Sequence, residues 1–139
     1  MRPTIVIADD EPYILDALSL KLRNAGYEVA VAEDGEAALA LARASRPLCV
    51  IADLGMPKMD GYALCGALRA DEATREVPVL ILTARESEPE SGLIERLRIH
   101  RFFTKPFSPR EILATVQEIE RARPAGPVSA APASGTRSA

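Results

Sequence analysis

Histidine and cysteine are almost missing from this chain: there is one His and there are two Cys in 139 residues. That scarcity excludes the usual structural zinc arrangements, which take about four such ligands, and a secreted-type disulfide framework. Cys49 sits in an apolar run and Cys65 in a helical pattern, so both read as reduced, partly buried thiols. Aromatic residues make up only 4% of the chain, too few for a base-stacking platform. A dominant charge is also lacking: the formal net charge of -3 gives no electrostatic case for nucleic acid or a membrane surface. No apolar run approaches the ~20 residues of a membrane span. The run 5–8 is too short for a signal peptide, and acids follow it at once. No glycine-rich, phosphate-cradling loop and no internal repeat is visible. The expectation is one cytoplasmic domain with neither a nucleic-acid nor a membrane partner. A domain of this size buries roughly two-thirds of its unfolded surface, and so needs no metal or disulfide to fold.

What is present is alternation. Short apolar runs at 4–8, 27–31, 48–53, 77–83 and 101–104 read as strands, three of them nearly continuous in Val, Ile and Leu as buried parallel strands are. Helical spacing lies between and after them: Ile14, Leu18 and Leu22; Leu64 and Leu68; Ile112, Val116 and Ile119; and an alanine-rich segment at 34–45. Residues 24–26 read as a helix stop, Asp34 and Asp60 as N-caps, and Ser108-Pro109-Arg110-Glu111 as a capping box. Segment 86–97 carries Pro89 and Gly92 and predicts a short helix at most. Strict strand–helix alternation implies a doubly wound α/β sandwich over residues 1–123. Residues 124–139, rich in Pro, Ala, Ser and Gly, predict a flexible tail.

In open parallel sheets, ligands bind beyond the C-terminal strand ends, a rule for which folds of this kind are standard examples. Here those ends are polar. Asp9, Asp10 and Glu11 follow the first strand, Asp53 ends the third, Thr83 ends the fourth and Lys105 follows the fifth. Carboxylates gathered at one rim repel one another unless a cation joins them, and hard oxygen ligands favour Mg²⁺. A carboxylate such as Asp53 can act as a nucleophile and form an aspartyl phosphate. Lys105 offers a point charge for phosphoryl oxygens and Thr83 a hydroxyl. Each residue alone has an ordinary alternative: a turn or helix cap for the Asp pair, a loop cap for Asp53, a strand position for Thr83, a surface charge for Lys105. Their joint placement at four strand ends favours a site.

Four segments together resemble the receiver domain of two-component response regulators over residues 3–121. They are Ile5-Val6-Ile7-Ala8-Asp9-Asp10-Glu11-Pro12, Asp53-Leu54-Gly55-Met56-Pro57-Lys58-Met59-Asp60-Gly61, Val77-Pro78-Val79-Leu80-Ile81-Leu82-Thr83-Ala84 and Phe102-Phe103-Thr104-Lys105-Pro106-Phe107. The resemblance implies a flavodoxin-like, five-stranded parallel sheet of order 2-1-3-4-5. It implies phosphorylation of Asp53 by a sensor histidine kinase or a histidine phosphotransfer protein. Asp10, Asp53 and the Gly55 carbonyl would bind Mg²⁺ directly, and Asp9 mainly through a water. Lys105 and Thr83 would contact the phosphoryl group, Thr83 and Phe102 would switch, and Lys105–Pro106 would be a cis turn. Pro12, Tyr13, Ile14 and the 106–107 turn would form the docking face.

Three departures from the family's pattern stand out. Arg98-Ile99 stand where Gly-Ala is common, Phe102 where Tyr is common, and Gly55 and Arg85 flank the expected path of hydrolytic water.

The implied protein is a signalling domain rather than an enzyme, although it assists its own phosphotransfer and dephosphorylation. With no output domain after residue 123, it reads as a stand-alone, chemotaxis-regulator-like receiver or as part of a longer protein. It would be a monomer or a phosphorylation-dependent dimer and would act on an unspecified protein target. The main alternative is a receiver-like interaction module that works without phosphorylation. A haloacid-dehalogenase-type phosphatase would need Asp-x-Asp, whereas Asp9 and Asp10 are adjacent. A flavin or redox protein lacks its phosphate loop here.

Overall fold

A computed structural model describes residues 2–84 and 92–123. Strands and helices alternate throughout: β1 (Thr4–Ala8), α1 (Pro12–Asn24), β2 (Glu28–Ala32), α2 (Gly35–Ser45), β3 (Cys49–Asp53), α3 (Gly61–Ala70), β4 (Val79–Thr83), α4 (Leu93–Leu97), β5 (Arg101–Thr104) and α5 (Pro109–Ala122). The strands form a sheet of order β2-β1-β3-β4-β5, with every neighbouring pair parallel. The order reverses between β1 and β3, which opens a crevice at their C-terminal ends.

Every residue of β3 and β4 is buried, as their unbroken apolar runs require of central strands covered on both faces. Side chains alternate across the sheet. Ile5, Ile7, Cys49, Ile51, Leu80, Leu82 and Phe103 meet Ile14, Leu15, Leu18 and Leu22 of α1 and Ile112, Val116 and Ile119 of α5. On the opposite face, Val6, Val50, Val79 and Ile81 meet Ala38 and Ala42 of α2 and Leu64, Cys65 and Leu68 of α3. Each fully buried aliphatic side chain contributes on the order of 1.5–3 kcal/mol. The alanines of α2 let that helix lie close to the sheet, where its apolar residues are small.

Most boundaries expected from the sequence fall within two residues of those observed. β2 begins one residue late because Tyr27 still belongs to the preceding turn: its N–H donates to the Leu22 carbonyl at 3.1 Å, and its hydroxyl donates to Glu120 at 2.6 Å. β4 begins at Val79 rather than Val77. Pro78 has no N–H to donate to a ladder, and its carbonyl accepts from Val50. Asp34 and Asp60 cap α2 and α3 through the N–H groups of Ala37 and Ala63. The capping box at 108–111 is corrected: Ser108 is the N-cap and Pro109 opens the helix, but the serine side chain makes no capping bond. Both cysteines are free and fully buried, not partly so. The short helix expected in 86–97 is α4, five residues long. Residues 85–91, including Arg85, and the tail expected at 124–139 lie outside the described residues.

Arg98 closes α4 in the left-handed region (φ 55°), a conformation that glycine adopts without strain. Its guanidinium is held by Glu76 and by the Arg75 carbonyl. Ile99 beside it is buried.

Two glycines set the loops around the crevice. A methyl group at Gly35 would lie 2.3 Å from the Met59 carbonyl oxygen, and one at Gly61 would lie 2.9 Å from that of Asp53. The start of α2 therefore packs directly on the β3–α3 loop, and α3 begins against the end of β3. Gly66, inside α3, faces only the tip of Leu97 at 3.9 Å. Gly35→Ala should lose about 1–3 kcal/mol of unfolding free energy through overpacking, whereas Gly66→Ala should gain about 0.5–1 kcal/mol from helix propensity. Urea denaturation of the two variants measures both, and equal effects would mean that the close approach at Gly35 relaxes at no cost.

Candidate functional site

Strand parity and register together bring the polar residues to one place. The Asp9 N–H donates to the Ala32 carbonyl at 3.1 Å and the Lys105 N–H to the Thr83 carbonyl at 2.8 Å, so both ladders continue one residue past β1 and β5. Asp9 then extends the row of Ile5 and Ile7, Asp53 that of Cys49 and Ile51, and Lys105 that of Arg101 and Phe103. All three rows face α1 and α5. Ala8 pairs with Ala52, which sets Asp9 level with Asp53 across the switch point. Thr83 extends the row of Val79 and Ile81 on the other face, where Phe102 pairs with Ile81.

The Lys105 ammonium is the centre of the site. It lies 2.7 Å from Asp53 Oδ1, 3.0 Å from Glu11 Oε1 and 3.3 Å from Asp9 Oδ2. Asp9 is completely buried and Asp53 nearly so, while Asp10 is exposed. One carboxylate oxygen from each of Asp9, Asp10 and Asp53 falls within 4.8 Å of the others. Backbone donors orient the acids: the Gly55 N–H reaches Asp53 Oδ2 at 3.1 Å, and the Glu11 N–H reaches Asp9 Oδ1 at 2.9 Å.

The charges are unevenly compensated. Burial pushes the Asp9 carboxyl up, and the charge of Asp53 pushes it the same way; the Glu11 N–H and Lys105 pull it back without cancelling the rise. Burial works against the charge on Lys105, but the hydrogen bonds of Asp53 and Glu11 and the nearby carboxylates outweigh it, so the lysine is held above its ordinary value. Glu11, more exposed, is held below the usual carboxylate range by its bond to Lys105. The ammonium thus serves Asp53 and Glu11 first, and Asp9 remains the underserved acid.

The other expected residues fall as follows. Thr83 is buried, and among the described residues its hydroxyl bonds to the Ala84 carbonyl at a long 3.4 Å. Phe102 is half-buried, with its ring 6.4 Å from that of Tyr62. The Lys105–Pro106 peptide is cis. Gly55 meets Asp53 through its N–H. Ile14 is nearly buried and packs in the core beneath α1 with Leu18 and Leu22, yet it also lines a cleft on the surface beside Lys105 and Pro106. Tyr13, by contrast, is 67% exposed. It borders the same 420 Å³ cleft with Ala17, Lys105, Pro106 and Phe107.

Sequence reasoning gave no role to Glu11 as a partner of Lys105. Its position directly after the Asp pair was the available signal, but a contact across 94 positions of sequence follows only from the fold.

The sheet order, the acids at the switch point and the Lys-Pro turn define a signalling receiver fold, and the comparisons agree. The chain belongs to the response regulator receiver domain family, whose sequence model matches residues 5–117. It is 40% identical over 119 residues to the DNA-binding dual master transcriptional regulator RpaA of Synechocystis, covering 86% of this chain and 49% of that protein. The chain spans about half the length of the curated relatives it matches. Among solved structures, Vibrio cholerae chemotaxis protein CheY4 is 32% identical with a TM-score of 0.77, over 86% of this chain and 99% of that one. The receiver domain of the sensor histidine kinase PA1611 from Pseudomonas aeruginosa is 27% identical with a TM-score of 0.76, over the same shares, and is described with a magnesium ion coordinated in its active-site cleft. The expectation of no nucleic-acid partner finds no support among these relatives, since RpaA is named as DNA-binding. No helix among the described residues is long and apolar enough to cross a membrane.

The raised Asp9 value has a sign. The stability it contributes is fully present below the unfolded-chain pKa and is lost as pH rises through the higher value in the fold. In EDTA at neutral pH, Asp9→Asn should therefore melt roughly 2–5 °C above wild type. That gain should shrink as the pH is lowered and wild-type Asp9 takes up its proton. A lower melting temperature at neutral pH would mean that the Lys105 pair outweighs burial.

Proposed function

We propose that this receiver accepts one phosphoryl group on Asp53 from a phosphohistidine of a sensor kinase or phosphotransfer protein and thereby switches a protein-binding face. The observation that carries the reading is the Lys105 ammonium 2.7 Å from the Asp53 carboxylate, in a rim shared with Asp9 and Asp10. A carboxylate at a crevice mouth is a competent nucleophile toward phosphorus. Lys105, already seated beside Asp53, is positioned to hold the incoming phosphoryl oxygens by charge. The Gly55 N–H keeps the second Asp53 oxygen oriented.

The donor set fits a divalent cation of the hard kind: three carboxylate oxygens within 4.8 Å of one another, at a buried-to-exposed boundary. Asp10, Asp53 and the Gly55 carbonyl would hold Mg²⁺ directly, and Asp9 through a water. The ion would supply charge neutralisation for the acids and the phosphoryl group. Thr83 supplies a hydroxyl whose bond among the described residues is long, 3.4 Å. Its movement toward a phosphoryl oxygen would vacate space on the face where Phe102 sits, and the ring would turn into it. The α4–β5–α5 face then carries the signal. The partner would dock over the cleft between Tyr13 and the 105–107 turn. We place the protein in the cytoplasm, as a signalling domain rather than a turnover enzyme. Residues 1–123 would be the receiver and residues 124–139 a tail.

Acetyl phosphate with Mg²⁺ should add a single phosphoryl group, seen by intact-mass spectrometry. EDTA should abolish the addition, and so should Asp53→Asn. Labelling of Asp53→Asn at the wild-type level would refute the assignment and favour the phosphorylation-independent interaction module.

Thr83→Ala should label normally but respond less to the phosphoryl mimic beryllofluoride. Amide chemical shifts around Phe102 and Leu93–Leu97 should move in wild type and stay nearly still in the variant. Shifts confined to the acidic rim in wild type would rule out this switch.

A further inference from the structure

Glu11 touches Lys105 as closely as a site residue does, yet phosphoryl acceptance by Asp53 assigns it no task. Its main chain is fixed: the N–H donates to Asp9 Oδ1 at 2.9 Å. Its side chain is held at both ends, with Oε1 3.0 Å from the Lys105 ammonium and Oε2 accepting the Tyr13 hydroxyl at 3.1 Å. Of the three carboxylates around Lys105, only Glu11 is substantially exposed, at 40%. Tyr13 carries this chain of contacts out to the surface, at the edge of the cleft beside Lys105 and Pro106.

An ammonium has three N–H donors, and here three carboxylates surround it. A phosphoryl group on Asp53 would replace the carboxylate's one negative charge with about two and add three strong acceptor oxygens at the same place. Lys105 can turn toward them only by weakening a present contact. The buried acids cannot retreat, because their strand ends fix them. Glu11 can, because among the described residues its side chain is held by the Lys105 ammonium and one tyrosine hydroxyl alone.

We infer that Glu11 is a positioning residue that competes with the phosphoryl group on Asp53 for the Lys105 ammonium, and that Tyr13 sets the strength of this competition from the surface. The inference rests on the reading of Asp53 as phosphoacceptor. It makes Glu11 a brake on the phosphorylated state: its hold on Lys105 is released as the phosphoryl group is bound and is restored as it leaves. A protein that covers Tyr13 and takes its hydroxyl would loosen Glu11 and favour the phosphorylated form.

The test is calorimetric titration of the full chain with beryllofluoride at saturating Mg²⁺, so that metal affinity does not enter. Glu11→Gln should bind the mimic about two- to fivefold more tightly, the size of a half-exposed ion pair. Glu11→Asp keeps the charge but falls short of Lys105, and should match Glu11→Gln. Tyr13→Phe should tighten binding by a smaller factor. Thermal melts without beryllofluoride separate these effects from a change in folding. Equal or weaker binding by Glu11→Gln overturns the inference, and so does a Glu11→Asp that behaves as wild type, which would mean that long-range charge and not contact matters. A Tyr13→Phe identical to wild type overturns the part given to Tyr13. Failure of wild type to bind the mimic, or undiminished binding by Asp53→Asn, would instead defeat the phosphoacceptor reading itself.

Discussion

The ammonium of Lys105 holds the crevice together. Asp9 and Asp53 are carried to the same rim by neighbouring parallel strands, and both are buried there. Two buried carboxylates at that separation repel, and burial raises the cost further. Among the described residues, the ammonium delivered from the far strand is the cation that meets them. It is also insufficient, which is why Asp9 keeps a raised affinity for protons. Under the proposed function, a divalent cation would complete the compensation of these acids.

The scaffold is stiff where the charges are generated and softer where a response is needed. β1, β3 and β4 are buried on both faces, and close approaches at Gly35 and Gly61 pin the β3–α3 loop against its neighbours. On the opposite face of the sheet, Thr83 has a weak hydroxyl bond and Phe102 is only half-buried beside Tyr62. α4 is a helix of five residues that ends at a left-handed arginine. Charge enters on one face of the sheet, and the adaptable groups lie on the other, with β4 between them. Such a division lets a local change in charge bias a packing equilibrium without loosening the site.

Much of this was legible in the sequence because it depends on periodicity. Runs of Val, Ile and Leu cannot be exposed, and their alternation with helical stripes at Ile14–Leu22 and Ile112–Ile119 leaves few architectures open. Asp34 and Asp60 declared their helix starts through the local chemistry of a side chain and a nearby N–H. Even the acidic rim was readable, since Asp9, Asp53 and Lys105 stand at the C-terminal ends of apolar runs, where a parallel sheet gathers them at one edge. Ser108 shows the limit of such local reasoning: the motif was right for a capping box, and the helix starts there, but the side chain makes no capping bond.

What only the tertiary structure decided is register and reach. That Asp9 stands level with Asp53 follows from Ala8 pairing with Ala52, and nothing in either strand's own sequence specifies that offset. That Ile14 is nearly buried while Tyr13 beside it is exposed depends on the angle at which α1 crosses the sheet. That Glu11 joins Lys105 depends on bringing residues 94 positions apart to 3.0 Å. Propensity and pattern act over one turn of helix or a few residues of strand. Contacts between charged side chains depend on ångström-level placement of separate elements, which is set by how the whole core packs.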